Sequence, residues 1–298
     1  MSFCSRIIYV MYIMIFNQPK IGGITKMSLC IGFIGAGKMG SAIAKGIAIS
    51  GKIIPEDIRV YDIDSQKTET LQKETSIMIE KSIEDLIIKS DIIVLAVVPS
   101  IIKSVLEPYT QLFTNNKILV SIAAGVPIKI FKQLLGNNIK IVRTMPNRPA
   151  LIGKGMTLIS YEKGIILQEE CNTIKWLFEA VGKVEVLDEN LMDEVIALTS
   201  SSPAYVFMLI EAMANAAVLR GIPAKTAYIL AAQAISGSAQ MVIETGKHPA
   251  ELKDEICTPA GTTIEAVKSL EKNNFRYSII EAMEECTKKA KLIGEKYL

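Results

Sequence analysis

The sequence predicts an α/β protein in two parts, a doubly wound and mainly parallel sheet followed by an all-α region. Short apolar runs alternate with helical patterns up to about residue 190, and only long helical patterns rich in Ala, Ile, Leu and Met follow. The 298 residues also exceed one ordinary domain of about 100 to 150 residues. We therefore predict a sheet domain over residues 27–190 and a helical domain over residues 191–298.

Eight apolar runs have the length and composition of strands. The first, from Leu29 to Gly35, is bounded by glycine and apolar throughout, as expected of a strand that is buried on both faces. The others are Ile58 to Tyr61, Ile77 to Ile79, Ile92 to Val97, Ile118 to Ile122, Ile139 to Arg143, Met156 to Ile159 and Val184 to Leu187. Their alternation with helical patterns is typical of βαβ units, whose strands pair in parallel.

Three long helical patterns make up the second part, from Asp193 to Arg220, from Ala224 to Thr245 and from Thr263 to the C-terminus. Residues Ala227 to Ala234 are apolar on nearly every side of such a helix, so we expect them to be buried all round. We interpret this as burial between the subunits of a homo-oligomer.

The amino-acid composition indicates which classes of binding partner and site to expect. The 33 basic and 31 acidic residues nearly cancel and form no long block of like charge, which favours a small-molecule ligand over nucleic acid or a membrane. Five cysteines without a CxxC pair predict reduced thiols in a cytoplasmic protein. The only histidine, His248, precedes Pro249 in a predicted surface loop, so we predict no metal site.

Residues 1–26 are predicted to be an N-terminal extension. The apolar run from Ile7 to Phe16 has ten residues, short of the roughly 20 that cross a bilayer, and no clear cleavage site follows it. Met27 stands directly before the first predicted strand, and we expect synthesis to start there naturally.

A glycine motif, GxGxxG, joins the first predicted strand to the helical run Ser41 to Ile49. Gly35 permits a tight turn, Gly37 lets the backbone approach a pyrophosphate, and Gly40 lets helix and strand pack closely. The pyrophosphate would lie at the helix N-terminus, where free N–H groups favour an anion. We therefore predict a dinucleotide-binding domain of the Rossmann type, with cofactor contacts from Gly35, Ala36, Gly37, Lys38, Met39 and Gly40. The alternative is a glycine-rich turn without a ligand.

Asp62 ends the second predicted strand, 22 residues beyond Gly40. An acidic side chain here can accept hydrogen bonds from the ribose hydroxyls of a dinucleotide, and its charge would repel the additional phosphate of NADP. The cofactor is predicted to be NADPH or NADH, and Asp62 favours NADH. A second interpretation, that Asp62 caps the following helix, stays open.

Two further segments follow predicted strands, Ala96 to Ser100 and Ser121 to Val126. Ligands of open parallel sheets bind outside the carboxyl ends of the strands, and small residues there would let a nicotinamide ring approach the backbone. The predicted cofactor residues are Ala96, Val97, Pro99, Ala123, Ala124 and Gly125. Ordinary close packing at a turn would explain the same residues.

The segment TPAGTTIEAVKSL, from Thr258 to Leu270, combines a Pro and Gly loop with the start of a helix. Thr262 and Glu265 fit a capping box, which is a purely structural role. Free N–H groups from Gly261 to Thr263 could bind a substrate carboxylate, and the hydroxyl of Thr263 could hydrogen-bond a ring nitrogen beside it.

Several segments together resemble the pyrroline-5-carboxylate reductase family from about residue 29 to 290. They are GFIGAGKMGSAIAKGI, SIAAGV, RTMPN, PAY and, most specifically, HPAELKDEICTPAGTTIEAVKSLE. The resemblance implies a helical domain that pairs with its counterpart in a dimer, often within a pentamer of dimers. It also implies the reduction of 1-pyrroline-5-carboxylate to L-proline by NAD(P)H.

Position by position, the resemblance assigns the substrate loop to Thr258, Pro259, Gly261, Thr262 and Thr263. Thr263 matches the threonine that contacts the ring nitrogen, which makes it the predicted catalytic residue. The family's cofactor positions fall on the glycine turn and on Ala96, Pro99, Ala123 to Gly125 and Asn147.

The chain departs from the family pattern at four places. Val98 replaces a lysine, Arg148 replaces a threonine, and Ser200 to Ser202 lack the usual glycines. Ala260 replaces a glycine, and a Cβ is costly there if the position needs a positive φ.

Two other functions are alternatives to the reductase. A β-hydroxyacid dehydrogenase shares this two-domain plan but carries a catalytic lysine on the first long helix of its second domain, and Asp193 to Met213 contains none. A catalytically silent nucleotide-binding protein would fit the departures, and fold alone does not separate it from an enzyme.

Overall fold

The structure is a computed structural model that describes residues 29–294. The predicted extension at residues 1–26 and the start at Met27 lie outside the described residues. The chain forms two compact units. The first ends at Val195 and takes in the last residues from Ala290, and the second spans Ile196–Lys289.

The first unit contains one sheet of eight strands in the order β3-β2-β1-β4-β5-β6-β7-β8. All pairs are parallel except β6 with β7. The strands are β1 (Ile31–Ile34), β2 (Ile58–Tyr61), β3 (Met78–Ile79), β4 (Ile92–Leu95), β5 (Ile118–Ser121), β6 (Lys140–Pro146), β7 (Gly155–Tyr161) and β8 (Gly182–Val186). Each overlaps one predicted run, so the predicted doubly wound sheet is confirmed.

Six helices cover this sheet. They are α1 (Lys38–Ser50), α2 (Ser65–Thr75), α3 (Ile83–Lys89), α4 (Ile102–Leu106), α5 (Ile128–Leu135) and α6 (Gln168–Phe178). Successive strand residues point to opposite faces. Phe33 and Val94 therefore pack with α1, α2 and α6, whereas Ile34 and Leu95 pack with α3, α4 and α5. The two separate cores explain why the central strands are apolar throughout.

The strand order reverses between β1 and β4. Chain connections leave these two strands in opposite directions, so a crevice opens outside their carboxyl ends. This edge is where the segments after β1 and β4 lie, and it positions the candidate site.

The second unit is helical, as predicted. Its helices are α7 (Ser202–Val218), α8 (Ala224–Thr245), α9 (Pro249–Ile256), α10 (Thr262–Lys272) and most of α11 (Phe275–Gly294). The prediction of one continuous helix from Thr263 to the C-terminus is wrong. The helix is interrupted at Asn274, which has a φ of 57°, and two helices form instead.

The predicted loop around His248 is also wrong in part. His248 is exposed, but its Nδ1 accepts a hydrogen bond of 3.1 Å from the N–H of Ala250 and caps α9. Pro249 at the first helical position is the sequence signal for this helix, since its missing N–H costs nothing there.

The apolar stretch in α8 is not buried all round within the chain. Ala227 and Ala231 are buried, whereas Ile229 and Leu230 are 61% and 55% exposed. Helix α7 likewise leaves Met208 69% exposed. The second unit therefore carries an extensive apolar surface that the chain itself does not cover.

Candidate active site

The turn after β1 depends on glycine. Gly35 has a φ of +104°, and its N–H donates a hydrogen bond of 2.8 Å to the carbonyl oxygen of Tyr61. A Cβ on Gly35 would lie 2.6 Å from the carbonyl oxygen of Ala96. A Cβ on Gly40 would lie 2.6 Å from the carbonyl oxygen of Gly35. Both predicted packing roles are therefore visible, and Ala96 lies against the glycine turn.

Gly37 has a different environment. It is the N-cap of α1 with a φ of −66°, and a Cβ built on it would meet no atom within 4 Å. No side chain caps α1, and its first turn contains no acidic residue. The first N–H groups of α1 are therefore open to an anion that approaches over Gly37, and a pyrophosphate contact there stays a prediction.

Asp62 belongs to this turn. Its Oδ2 accepts a hydrogen bond of 2.6 Å from the N–H of Ala36, and its Oδ1 accepts one of 2.9 Å from the N–H of Asp64. The interpretation of Asp62 as a helix cap is wrong, because Asp64 caps α2 by accepting from the N–H of Gln66. The carboxylate of Asp62 is thus fixed beside the glycine turn, with its side chain 11% exposed.

The loops after β4 and β5 lie at the same sheet edge. The N–H of Ala96 donates to the carbonyl oxygen of Ile34 at 2.8 Å, and the N–H of Ile122 donates to that of Leu95 at 3.1 Å. These bonds place the carboxyl ends of β1, β4 and β5 side by side. The predicted cofactor segments Ala96–Pro99 and Ala123–Gly125 therefore follow adjacent strands.

These segments differ in exposure. Ala123 and Gly125 are buried and Ala124 is exposed. Val98, at the position where the family has lysine, is 60% exposed.

Asn147 follows β6, and its Oδ1 accepts a hydrogen bond of 2.8 Å from the N–H of Met156. That bond holds the start of β7, and a cofactor contact by Asn147 stays a prediction.

The predicted substrate loop lies in the second unit, before α10. A Cβ on Gly261 would lie 2.3 Å from Oγ1 of Thr258, which explains glycine at this position. The predicted capping box is wrong, because Gly261 is the N-cap and no side chain caps α10. Thr262 is the first helical residue, and Glu265 pairs with Lys268 at 3.2 Å instead.

Two of the three predicted N–H donors remain at this helix start. The N–H of Gly261 donates to the carbonyl oxygen of Thr258 at 3.0 Å, so it is not a free donor. Thr262 and Thr263 occupy the first turn of α10, whose N–H groups have no acceptor within the helix. Thr262 is exposed and Thr263 is half-buried. This uncapped end can hold a carboxylate, and Thr263 lies in its first turn.

Ala260 has a φ of 57°. The sequence predicts a cost at this position if φ is positive, and the φ of Ala260 is positive. A left-handed conformation with a Cβ costs about 1 to 2 kcal/mol.

We expect Ala260→Gly to raise the free energy of unfolding by about 0.5 to 1 kcal/mol, since part of the relief is offset by the greater freedom of glycine in the unfolded chain. Denaturant unfolding measures the change. Ala266→Gly, within α10, is the control and should lower the same quantity by about 1 kcal/mol. Equal destabilisation by both changes would contradict the assigned strain.

One charged cluster near the cofactor loops was not predicted from the sequence. The side chain of Arg143 on β6 is 3% exposed, and it pairs with Asp193 at 2.5 Å and with Glu189 at 3.6 Å. A signal was present, because an arginine inside an apolar strand requires carboxylates nearby. Their positions about 50 residues away could not be read from the sequence.

In the second unit, one tyrosine has an altered pKa. Burial raises the pKa of Tyr205, and a hydrogen bond with Cys286 raises it further. Within residues 29–294, no group of three or more His, Cys, Asp or Glu side chains is arranged to hold a metal ion.

A doubly wound sheet with a glycine turn and an acidic residue after its second strand defines a dinucleotide-binding protein of the Rossmann type. Residues 30–125 match a family model described as NADP oxidoreductase coenzyme F420-dependent, and residues 189–293 match one described as pyrroline-5-carboxylate reductase dimerisation. The chain belongs to the pyrroline-5-carboxylate reductase family.

Relatives support this membership over nearly the whole chain. The pyrroline-5-carboxylate reductase of Escherichia coli is 44% identical over 265 residues, covering 89% of this chain and 98% of that protein. The enzyme of Methanosarcina acetivorans is 40% identical over 266 residues, with the same coverage. The crystal structure of Plasmodium falciparum pyrroline carboxylate reductase with NADP bound has a TM-score of 0.79 at 34% identity, covering 89% of this chain and 98% of that one.

Proposed function

We propose that this protein reduces 1-pyrroline-5-carboxylate to L-proline with NADH or NADPH. Membership in the family supports the reaction, and the observation that carries it is the uncapped start of α10 with Thr263 beside it. A small ring with one carboxylate and one nitrogen offers an acceptor to the N–H groups and a partner to the Thr263 hydroxyl. The glycine turn would bind the pyrophosphate of the dinucleotide, and Asp62 would bind its ribose.

The reaction places modest demands on the protein. When bound, a reduced nicotinamide would supply a hydride for the imine carbon, and a proton on the ring nitrogen would complete the amine. The N–H groups of Thr262 and Thr263 hold the carboxylate, and the Thr263 hydroxyl orients the nitrogen. Alignment of this kind can lower a barrier by about 7 to 11 kcal/mol, so no strongly basic side chain is required.

The direct test adds 1-pyrroline-5-carboxylate to the purified protein with each reduced cofactor. We expect the cofactor to be oxidised and an equal amount of proline to form. A nucleotide-binding protein without activity would bind a reduced cofactor but leave both NADH and NADPH reduced, and that outcome would reject the proposal.

We further propose that Asp62 makes NADH the preferred cofactor. Its carboxylate is fixed by two backbone N–H groups beside the glycine turn, where the adenosine ribose of a dinucleotide lies. A 2′-phosphate on that ribose would face a second negative charge. Lys67 lies 3.7 Å from Asp62 but also pairs with Asp64 at 3.4 Å, so the three side chains keep a net negative charge.

Asp62→Asn should raise the ratio of kcat/KM for NADPH to that for NADH by about tenfold, which corresponds to about 1.4 kcal/mol. Asparagine can still accept the hydrogen bond from Ala36, so the glycine turn should persist. Asp64→Asn is the matched control, because asparagine caps a helix as well as aspartate does, and the ratio should change little. A wild-type protein that prefers NADPH would contradict this assignment.

We propose that the protein is a homo-oligomer, a dimer or a pentamer of dimers. The apolar surface of the second unit supports this, since side chains such as Phe207 and Met208 of α7 and Ile229 of α8 are 59%, 69% and 61% exposed in the single chain. Exposed apolar patches of this kind mark interaction sites. Light scattering after size exclusion should give a dimer or a larger species, and a stable monomer at micromolar concentration would oppose the proposal.

We propose a cytoplasmic location. The balanced charge supports it, as do Cys30, Cys171, Cys257 and Cys286, which are all unpaired. Burial raises the pKa of Cys30 and Cys171 and keeps both thiols protonated. Within the described part of the chain, one helix, Ile196–Val218, has the length and apolar composition to cross a membrane, which is weak evidence for a span. Cell fractionation that recovered the protein with membranes would contradict this location.

A further inference from the structure

A buried arginine side chain pairs with two carboxylates in the first unit, close to the cofactor loops. The guanidinium of Arg143 lies between Glu189 and Asp193, both 35% exposed, while its own side chain is 3% exposed. A charge that is removed from water in this way must be paired. Both carboxylates come from the segment after β8, shortly before the chain enters the second unit at Ile196.

Glu189 makes a further contact that Asp193 does not. Its Oε1 accepts a hydrogen bond of 2.6 Å from the N–H of Ile128, the first residue of α5. The N-cap of α5 is Pro127, which has no side-chain acceptor, and the first turn of α5 contains no acidic residue. Glu189 therefore supplies the acceptor and the negative charge that this helix start otherwise lacks.

The loop between β5 and α5 is held at both ends. At its start, Oγ of Ser121 accepts a hydrogen bond of 3.2 Å from the N–H of Ala123, and Oγ1 of Thr144 donates one of 3.0 Å to the carbonyl oxygen of Ser121. At its end, Glu189 holds the N–H of Ile128. The segment Ala123–Gly125 lies between these two anchors.

We propose that Glu189 is a positioning residue for the reduction, acting through the loop Ala123–Gly125. This inference rests on the proposed function, in which that loop contacts the cofactor. The guanidinium of Arg143 holds Glu189 and, through it, the loop end. The same guanidinium holds Asp193, so the cofactor loop and the segment that leads into the second unit share one anchor.

The test compares Glu189→Ala with Glu189→Gln. Alanine removes the acceptor for Ile128, whereas the amide oxygen of glutamine keeps it. Glu185→Ala is the matched control, because Glu185 is an exposed carboxylate on the neighbouring β8. In both Glu189 variants Arg143 retains Asp193, and circular dichroism would verify that each protein is folded.

The first measurement does not require turnover. Amide hydrogen exchange of a peptide that spans residues 122–131 should accelerate about tenfold in Glu189→Ala, stay near the wild-type rate in Glu189→Gln, and be unchanged in Glu185→Ala. An unaltered rate in Glu189→Ala would overturn the anchoring role, whether or not the wild-type protein reduces the imine.

The second measurement is kinetic. In Glu189→Ala, kcat should fall about tenfold or more while KM for the imine stays within about twofold, because the loop misplaces the cofactor and leaves the substrate loop untouched. Glu189→Gln should recover most of kcat. Equal losses in the two variants, or a kcat in Glu189→Ala that matches Glu185→Ala, would overturn the proposal. Failure of the wild-type protein to oxidise either NADH or NADPH in the presence of the imine would reject the proposed function alone.

Discussion

Gly37→Ala is expected to fold like the wild-type protein and to lose about 100-fold in kcat/KM for the reduced cofactor. The backbone of Gly37 has a φ of −66°, which alanine adopts readily, and the added Cβ would meet no protein atom within 4 Å. The methyl group would instead occupy the space through which a pyrophosphate approaches the N–H groups of α1. The loss corresponds to about 2.8 kcal/mol. Steady-state kinetics and fluorescence titration with NADH measure it.

Gly40→Ala is the contrasting variant. Its Cβ would lie 2.6 Å from the carbonyl oxygen of Gly35, so the helix and the turn would have to separate. We expect a lower unfolding temperature for Gly40→Ala and an unchanged one for Gly37→Ala. If Gly37→Ala bound NADH with wild-type affinity, the glycine turn would not be the pyrophosphate site.

Thr263→Ala is expected to lower kcat/KM for 1-pyrroline-5-carboxylate by about 10- to 100-fold, the range for a hydrogen bond to a charged group. The hydroxyl that orients the ring nitrogen is lost, whereas the N–H groups that hold the carboxylate remain. The KM for NADH should therefore change little. Kinetics with each substrate varied in turn separates the two effects.

Thr263→Ser should recover most of the activity, because serine keeps the hydroxyl. Ser269→Ala removes an exposed hydroxyl from the same helix and should leave the kinetics unaltered. If Thr263→Ala and Ser269→Ala behaved alike, Thr263 would have no role in the reaction.

Local patterns predicted the sheet well because its strands are short, apolar and buried on both faces. Strand β2 begins and ends where the sequence placed it, at Ile58 and Tyr61. The glycine turn was predictable because the steric requirements at Gly35 and Gly40 arise within one strand, turn and helix.

Other features depend on contacts that one segment does not contain. The sequence left open whether Asp62 caps a helix or lies in the dinucleotide site, and the bond from Ala36, 26 residues away, decided that it lies beside the glycine turn. Glu189 caps α5 across 61 residues, a relation that no local pattern expresses. The capping box predicted at Thr262 is wrong, because the N-cap is Gly261, which has no side chain.

The exposed apolar side chains of α7 and α8 make the stability of one chain depend on its association with other chains. Each large apolar side chain that passes from water into a neighbouring subunit contributes about 1.5 to 3 kcal/mol, and Met208, Ile229 and Leu230 are 69%, 61% and 55% exposed when the chain is alone. By mass action, the melting temperature then rises with protein concentration. Dilution would therefore lower the melting temperature although the contacts within each chain stay the same.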